Sequence, residues 1–197
     1  MAHSFNLKFP VTERLKNIPG IIGIRLSDEP RYHILDMDDE KEIRQYDRMT
    51  IASVTLFGNY EKVINEGYYK LAAYLFGENA LNLEMPVSTP ILEEKVQNGW
   101  VISFILPKGM TMASAPTPHD LSIIISEIPR RKVAVIWYTG GNNLKRVNEK
   151  SAELYRWLLS QAHYSPQGKM LVAQYDSPST LDFFRRNELQ VEVAKAH

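Results

Sequence analysis

The chain has 197 residues, 44% of them hydrophobic, and its 23 basic and 23 acidic residues cancel to a formal net charge of zero. This length fits one domain or two small halves that share a core, and the zero net charge gives no electrostatic footprint for nucleic acid or an anionic membrane. The absence of cysteine excludes disulfides, thiolate metal sites and covalent thioether attachment of a cofactor.

The chain also lacks the patterns of membrane-spanning and secreted proteins. No eighteen consecutive residues are apolar, so we expect no membrane-spanning segment. Residues 1–10 have scattered polar side chains and no hydrophobic region of a signal peptide, so we expect a cytoplasmic protein, although a removed leader would leave the same sequence.

The predicted elements begin after an N-terminal extension at residues 1–30, which is periodic only at 18–26. An early strand is predicted at 32–35. The first half is then predicted to form two strands, a helix and two strands, at 42–46, 50–57, 60–76, 83–92 and 100–106. Asn59 can cap the start of the helix, and Gly77 is typical of its end.

The second half repeats this order. Its two strands, helix and two strands are predicted at 121–128, 132–138, 144–162, 170–175 and 188–193. Segment 107–119, between the halves, is predicted to be a proline-rich loop, and its apolar residues suit a cover over a groove.

The two halves also match in register. Ala52 and Gly58 are followed 82 residues later by Ala134 and Gly140, and the apolar stripes of the two predicted helices correspond at an offset of 83. We therefore predict one domain over 31–197, with pseudo-repeats at about 42–106 and 121–193. Pairing two small antiparallel sheets removes their open edges and gives an α+β fold, a distorted antiparallel barrel with two flanking helices.

The C-terminal end carries the most informative cluster of charged residues. Arg185, Arg186 and Glu188 stand at the start of a strand that alternates polar and apolar residues, and two guanidinium groups beside a carboxylate favour a structural clamp. Glu42 and Glu188 are also the candidate functional carboxylates. If either points into a dry pocket, its pKa rises and it becomes a cation receptor or a general base.

No enzyme motif accompanies these residues. The sequence has no GxSxG, no P-loop, no Rossmann fingerprint and no plausible catalytic triad spacing, and its five histidines lack metal-ligand spacing. The pattern therefore favours a binding protein over an enzyme, names no catalytic residue and leaves any metal ligand unknown.

Five segments, in this order and spacing, resemble one family. Residues 42–46 (EIRQY), 67–79 (GYYKLAAYLFGEN), 88–91 (STPI), 101–107 with Pro116 and Pro118, and the C-terminal YDSP and RRNE segments are similar to conserved stretches of the SOUL haem-binding family. The resemblance covers about residues 30–193. It implies the same distorted barrel, a fold also found in GyrI-like effector-binding domains, where a ligand pocket lies between the halves.

The resemblance implies a non-catalytic protein that binds haem or another tetrapyrrole non-covalently in an apolar groove at the first helix, as a carrier or buffer. The matching groove positions are Asn65, Tyr68, Ala72 and Ala73, and the candidate histidine ligands of the iron are His119 and His163. The chain departs from the family pattern where Asn and Ala replace basic residues and Met at the helix. It departs again at Glu84 and Val87, where the family has Lys and Met.

Two alternatives stay open. One is a GyrI-like pocket protein that uses a glutamate to bind, or to hydrolyse, another small and possibly cationic molecule. The other is a protein–protein module without a small ligand, favoured if loop 107–119 is exposed and the groove is filled. Basic residues beside an apolar wall would favour a porphyrin, whereas a buried carboxylate would favour a cation or catalysis.

Overall fold

The computed structural model describes residues 28–161, 163–176, 180–181 and 184–196. Within these residues no helix is both long and apolar enough to cross a membrane. Most of the predicted extension 1–30, the last residue of the predicted helix 144–162 and the Ser-Pro pair of the C-terminal YDSP segment lie outside the described residues.

The described part of the chain forms nine strands and two helices. The strands are β1 Tyr32–Asp38, β2 Lys41–Tyr46, β3 Met49–Phe57, β4 Ile91–Val96, β5 Gly99–Ile105, β6 Ile123–Ile128, β7 Arg131–Thr139, β8 Tyr164–Gln174 and β9 Arg186–Lys195. The helices are α1 Tyr60–Leu75 and α2 Leu144–Ser160. The predicted order of strand, strand, helix, strand, strand in each half is confirmed.

All nine strands join one antiparallel sheet in the order β1-β2-β7-β9-β8-β4-β5-β3-β6. The halves exchange strands: β2 of the first half pairs with β7 of the second, and β6 of the second half pairs with β3 of the first. The halves meet where β4 pairs with β8. The α+β fold with a duplicated unit is confirmed.

The sheet remains open. Within the described residues β1 and β6 are its two edges and do not pair with each other, so the distorted barrel is not closed. The duplicated register is visible in β3 and β7, which begin at residues 49 and 131, 82 apart, and have the same length.

One predicted strand is displaced. The strand predicted at 83–92 is observed only from Ile91, because Pro86 and Pro90 have no backbone N–H to donate to a ladder. Within 83–90 the pairing is limited to an isolated bridge between Glu84 and Phe76. β8 instead begins earlier than predicted, at Tyr164, because residues 164–167 pair with the end of β9.

Both helices pack on one face of the sheet. The Asn59 side chain caps α1 by accepting a hydrogen bond from the Glu61 backbone N–H at 3.1 Å, and Gly77 follows the helix with φ +104°, so both predicted boundaries are confirmed. α1 lies close to β5 at Gly67, where a Cβ atom would stand 2.9 Å from Ile102 Cδ1.

A separate core cluster fills the space under each helix. Under α1 it includes Leu71, Leu75 and Phe104, and under α2 it includes Leu154, Leu158 and Leu189. Each side chain of this size stabilises the fold by about 2 kcal/mol when it is fully buried. The opposite face of the sheet is also largely buried, but it carries charged and polar side chains among smaller apolar clusters.

Candidate functional site

The four groove residues predicted on the first helix all lie on α1, but only three of them reach its outer side. Asn65 is exposed, and its Nδ2 donates to the Glu61 carbonyl at 2.8 Å. Tyr68 is half-buried, with its ring centroid 5.3 Å from that of Phe104. Ala73 is half-buried, whereas Ala72 is fully buried in the core. Beyond Asn65, the accessible positions of the helix therefore combine the apolar or aromatic Tyr68, Tyr69 and Ala73 with the charged Glu66 and Lys70.

Two loops are joined at the C-terminal end of α1. The Ala80 N–H donates to the Thr117 carbonyl at 2.9 Å, and the His119 N–H donates to the Glu78 carbonyl at 3.2 Å. The Tyr74 hydroxyl also donates to the Pro116 carbonyl at 2.9 Å. Segment 107–119 is thus held against the helix end.

Five large apolar side chains are exposed on α1, on the joined segments or just after them, and we call them the helix-end patch: Tyr69, Leu81, Leu83, Met112 and Leu121. Leu121 is 91% exposed. Exposed apolar side chains of this kind are stabilised when the ring of a planar apolar ligand covers them and removes them from water.

The structure separates the two candidate histidines. His119 lies at the end of α1, with Nδ1 3.8 Å from Glu78 Oε2. His163 follows α2 in the other half, where its carbonyl accepts a hydrogen bond from the Ala196 N–H at 3.0 Å. His3 and His197 lie outside the described residues, and in the part of the chain that is described no three acidic or histidine side chains group as a metal site.

Tyr68, on α1, is also a candidate iron ligand, because a phenolate can ligate haem iron. Burial, together with neighbouring Tyr69, raises the pKa of the Tyr68 phenol above its ordinary value. The phenol is therefore neutral at physiological pH, and a phenolate ligand is disfavoured.

On the opposite face of the sheet, the candidate glutamates are bound to arginine. Arg44 is 1% exposed, and its guanidinium donates to Glu42 Oε2 at 2.6 Å and to Glu188 Oε2 at 3.0 Å. Arg186 donates to Glu188 Oε1 at 2.6 Å and lies over the Tyr175 ring at 4.0 Å. The predicted clamp between Arg186 and Glu188 is confirmed.

These contacts decide the protonation state of Glu188. Burial pushes the pKa of this carboxyl upward, but Arg44 and Arg186 outweigh burial and leave it below its ordinary value. Glu188 also accepts hydrogen bonds from the Tyr175 hydroxyl and from the Gln190 amide, each at 2.9 Å. The ionised carboxylate is fully committed to neighbours within the chain.

The sequence interpretation missed a third buried glutamate, Glu93. It lies on the helix-side face of β4, where the two halves meet, and is 2% exposed. Tyr60 donates to its Oε2 at 2.8 Å and Gln174 to its Oε1 at 2.5 Å. Burial raises the pKa of Glu93 to about 7, against the hydrogen bond from Tyr60, which lowers it.

The alternation of residues along β4 could have identified Glu93 as a buried residue. The predicted strand ends at residue 92, however, and so does not include Glu93. Extending the strand to Val96 would have placed Glu93 on the same face as Ile91, two residues earlier, and so over the core. In the described residues no arginine or lysine forms an ion pair with Glu93, in contrast to Glu188.

Comparison with known proteins gives a family match in sequence. The model of the SOUL heme-binding protein family matches residues 27–192, which includes both duplicated halves. No curated protein matches the chain in sequence.

Solved structures share the fold at low identity. The C-terminal domain of EcmrR is 12% identical with a TM-score of 0.58, covering 84% of this chain and 99% of that domain. EcmrR in a DNA complex is 11% identical with a TM-score of 0.61, covering 79% of this chain and 57% of that one. A hydrolase from Listeria innocua is 14% identical with a TM-score of 0.55, covering 81% and 94%. These similarities confirm the GyrI-like fold.

Proposed function

Because the chain belongs to the SOUL haem-binding protein family, we propose that it binds haem or another tetrapyrrole non-covalently and acts as a carrier or buffer. The observation that carries this proposal is the family match over residues 27–192, which spans both halves of the sheet. The zero net charge is consistent with a small ligand and supplies no attraction for nucleic acid.

We place the tetrapyrrole on the outer side of α1, from Asn65 towards the helix-end patch. The half-buried side chains of Tyr68 and Ala73, with the exposed Tyr69 and Leu121, supply apolar contacts for one face of the ring. Lys62 is exposed one turn before Asn65 and suits a propionate, whereas Lys70 is already paired with Asp120 at 2.5 Å. These residues fit a porphyrin bound at the surface.

The strength of binding follows from the contact area. A shallow groove that buries roughly 300 Å² of porphyrin gains on the order of 7 kcal/mol before the costs of association. That corresponds to micromolar affinity at best without an iron ligand. Such affinity suits reversible carriage better than permanent retention of a cofactor. His119 lies at the end of α1, so in this proposal it supplies any protein ligand to the iron, and His163 does not.

A haemin titration of the purified full chain, followed by Soret absorbance and tryptophan quenching, tests the proposal. We expect saturable one-to-one binding that persists in Tyr68→Phe and His163→Ala, with a changed Soret band in His119→Ala. Ala73→Glu should weaken binding at least about tenfold, because it places a charge under the apolar ring. Ala152→Glu is the matched control, since it makes the same substitution at an exposed position of α2.

Free haemin without protein is the reference for aggregation. The absence of saturable binding to the unmodified chain would refute the proposed function. Equal loss in Ala73→Glu and Ala152→Glu would refute the location on α1, because the two substitutions lie on different halves of the sheet.

Glu93 favours a second candidate function, a GyrI-like site for a small cation. It is a buried carboxyl at the junction of the halves, whereas Glu42 and Glu188 are held by Arg44. The same titration with a tetracationic porphyrin separates the two functions. Binding of the cationic ring alone, lost in Glu93→Gln, would favour this second candidate.

A further inference from the structure

A pocket of about 570 Å³ opens on the sheet. It is separate from the helix-end patch, because no side chain of that patch lines the pocket. Its walls come from four segments and from Ser88. The segments are residues 28–31, residues 47–50, residues 105–111 at the end of β5, and residues 127 and 129–130 at the end of β6. Both halves of the chain contribute. We call it the rim pocket. Its volume lies in the range of small-molecule sites.

The floor of the rim pocket is apolar. Ile105 and Leu106 are buried there, and the flexible side chains of Met49 and Met110 are half-buried beside them. Methionine side chains adapt to irregular apolar ligands because the thioether is unbranched and polarizable. The floor therefore suits a bulky or extended hydrocarbon body.

One polar group on the pocket wall lacks a partner. Ser88 is only 4% exposed, and in the described part of the chain its hydroxyl makes no hydrogen bond. The neighbouring Thr50 hydroxyl, in contrast, donates to the Met110 carbonyl at 2.7 Å. The Ser88 hydroxyl is therefore free to donate to, or accept from, a ligand or water in the pocket.

The rim of the pocket is charged. Arg31, Arg48, Lys108 and Arg130 reach it from separate segments, and within the described residues none of the four forms an ion pair. Four carboxylates share the rim, from Asp28, Glu29, Asp47 and Glu127, but Glu29 is held by Arg186 at 3.5 Å.

Four cations therefore face three carboxylates that are not bound to arginine, an excess of one positive charge. Three of the cations are guanidinium groups, which are more weakly hydrated than ammonium and match a carboxylate bidentately.

We propose that the rim pocket binds an amphipathic carboxylate, with its hydrocarbon body on the methionine-rich floor and its carboxylate among the arginines of the rim. This inference is independent of the proposed tetrapyrrole site on α1. Arg48 lies between β2 and β3 and directly precedes Met49 and Thr50, so one short segment supplies both a cation of the rim and part of the floor.

Isothermal titration of the full chain with dodecanoate, and with dodecyltrimethylammonium as the matched cation, tests the proposal. We expect saturable binding of one dodecanoate per chain and at least about tenfold weaker binding of the cation. Arg48→Glu should weaken dodecanoate binding by about tenfold or more, and Ser88→Ala by a few-fold. Arg156→Glu, at an exposed arginine of α2, should leave the affinity unchanged.

Three results would overturn the proposal: no saturable dodecanoate binding, preference for the cation, or equal loss in Arg48→Glu and Arg156→Glu. Circular dichroism verifies that the surface variants fold.

Haemin is itself an amphipathic carboxylate, so the haemin titration is repeated with Arg48→Glu. If Arg48→Glu abolished haemin binding while Ala73→Glu spared it, the rim pocket would be supported and the location on α1 refuted. Unchanged haemin affinity in Arg48→Glu, with lost dodecanoate binding, would support two separate sites.

Discussion

At the scale of single residues, two buried glutamates behave differently because of their neighbours. Glu188 is surrounded by Arg44 and Arg186, which hold the pKa of its carboxyl below its ordinary value despite burial. Glu93 is equally inaccessible but meets only the neutral donors Tyr60 and Gln174, so burial raises its pKa to about 7. Charged neighbours, more than depth, decide whether each carboxyl is ionised.

The raised pKa of Glu93 predicts a pH dependence of stability. The folded state holds this proton up to about pH 7, whereas the unfolded chain releases it near the ordinary value of 4.5. The Glu93 proton therefore adds on the order of 3 kcal/mol to the free energy of unfolding. This contribution is fully present below pH 4.5 and is lost as the pH rises to about 7. In Glu93→Gln this loss should disappear, as measured by urea unfolding at several pH values.

Glu94→Gln is the matched control, because the neighbouring Glu94 lies on the other face of β4 and pairs with exposed Lys169 at 2.9 Å. The quantity compared is the difference in unfolding free energy between each variant and the unmodified chain, so that other titrating groups cancel. If the difference for Glu93→Gln did not change between pH 4.5 and pH 7, the assignment of a neutral, buried Glu93 would be wrong.

The sequence predicted part of this residue-level picture. The pairing of Arg186 with Glu188 follows from their spacing of two on one strand face, since both side chains point the same way. The contact of Arg44 with Glu188 was not predictable. Arg44 lies on β2 and Glu188 on β9, and the two strands come close only because both pair with β7, one on each side. That arrangement depends on strand exchange between the halves, which no local pattern reveals.

At the scale of elements, the helices were predicted well because an apolar stripe with a period of 3.6 residues persists over four turns. Strand limits were less predictable. The ladder of β4 starts at Ile91 because prolines interrupt the segment before it. β8 is long because its first residues, 164–167, pair with the end of β9. The limits of a strand depend on its partner as well as on its own residues.

The contact between α1 and β5 makes Gly67 a sensitive position. Gly67→Ala should gain about 1 kcal/mol of helix propensity, but the new Cβ would lie 2.9 Å from Ile102 Cδ1 and overpack the contact at a cost of about 1–3 kcal/mol. We expect net destabilisation of about 1 kcal/mol in urea unfolding.

Shortening the opposing side chain is the internal control. Ile102→Val removes Cδ1, so Gly67→Ala should be better tolerated in the Ile102→Val background than alone. Glu66→Ala, at an exposed position of the same helix, should change stability by less than about 0.5 kcal/mol. A Gly67→Ala variant more stable than the unmodified chain would show that the helix shifts freely on the sheet.

At the scale of the whole molecule, the halves are joined by exchanged strands and by a buried ion pair. Arg44 on β2 belongs to the first half and Glu188 on β9 to the second, and the guanidinium reaches the carboxylate at 3.0 Å. A cation–π contact of Arg44 with the Tyr32 ring, at 4.3 Å, adds β1 to the same junction. The duplicated pattern in the sequence predicted the two units, but not that each would complete the sheet of the other.

Removing one member of this pair should therefore be severe. Arg44→Met would leave Glu188 buried and without its cross-half partner, and we expect a loss of about 3–5 kcal/mol of unfolding free energy. Lys169→Met, which breaks the exposed pair with Glu94, should cost less than about 1 kcal/mol. Similar losses in the two variants, measured by urea unfolding, would contradict a junction that depends on Arg44.

The exchange of strands also has a consequence for the nascent chain. The hairpin of β1 and β2 ends at residue 46, but its partner β7 begins at residue 131, so 85 more residues must be synthesised before the hairpin can join the sheet. At ribosomal speeds this takes on the order of ten seconds. During that interval the side chains of Ile43 and Tyr46, which the finished sheet buries, and the free edge of β2 are available to chaperones or to other nascent chains. Translation speed across the second half therefore sets how long the first half is exposed to misassembly.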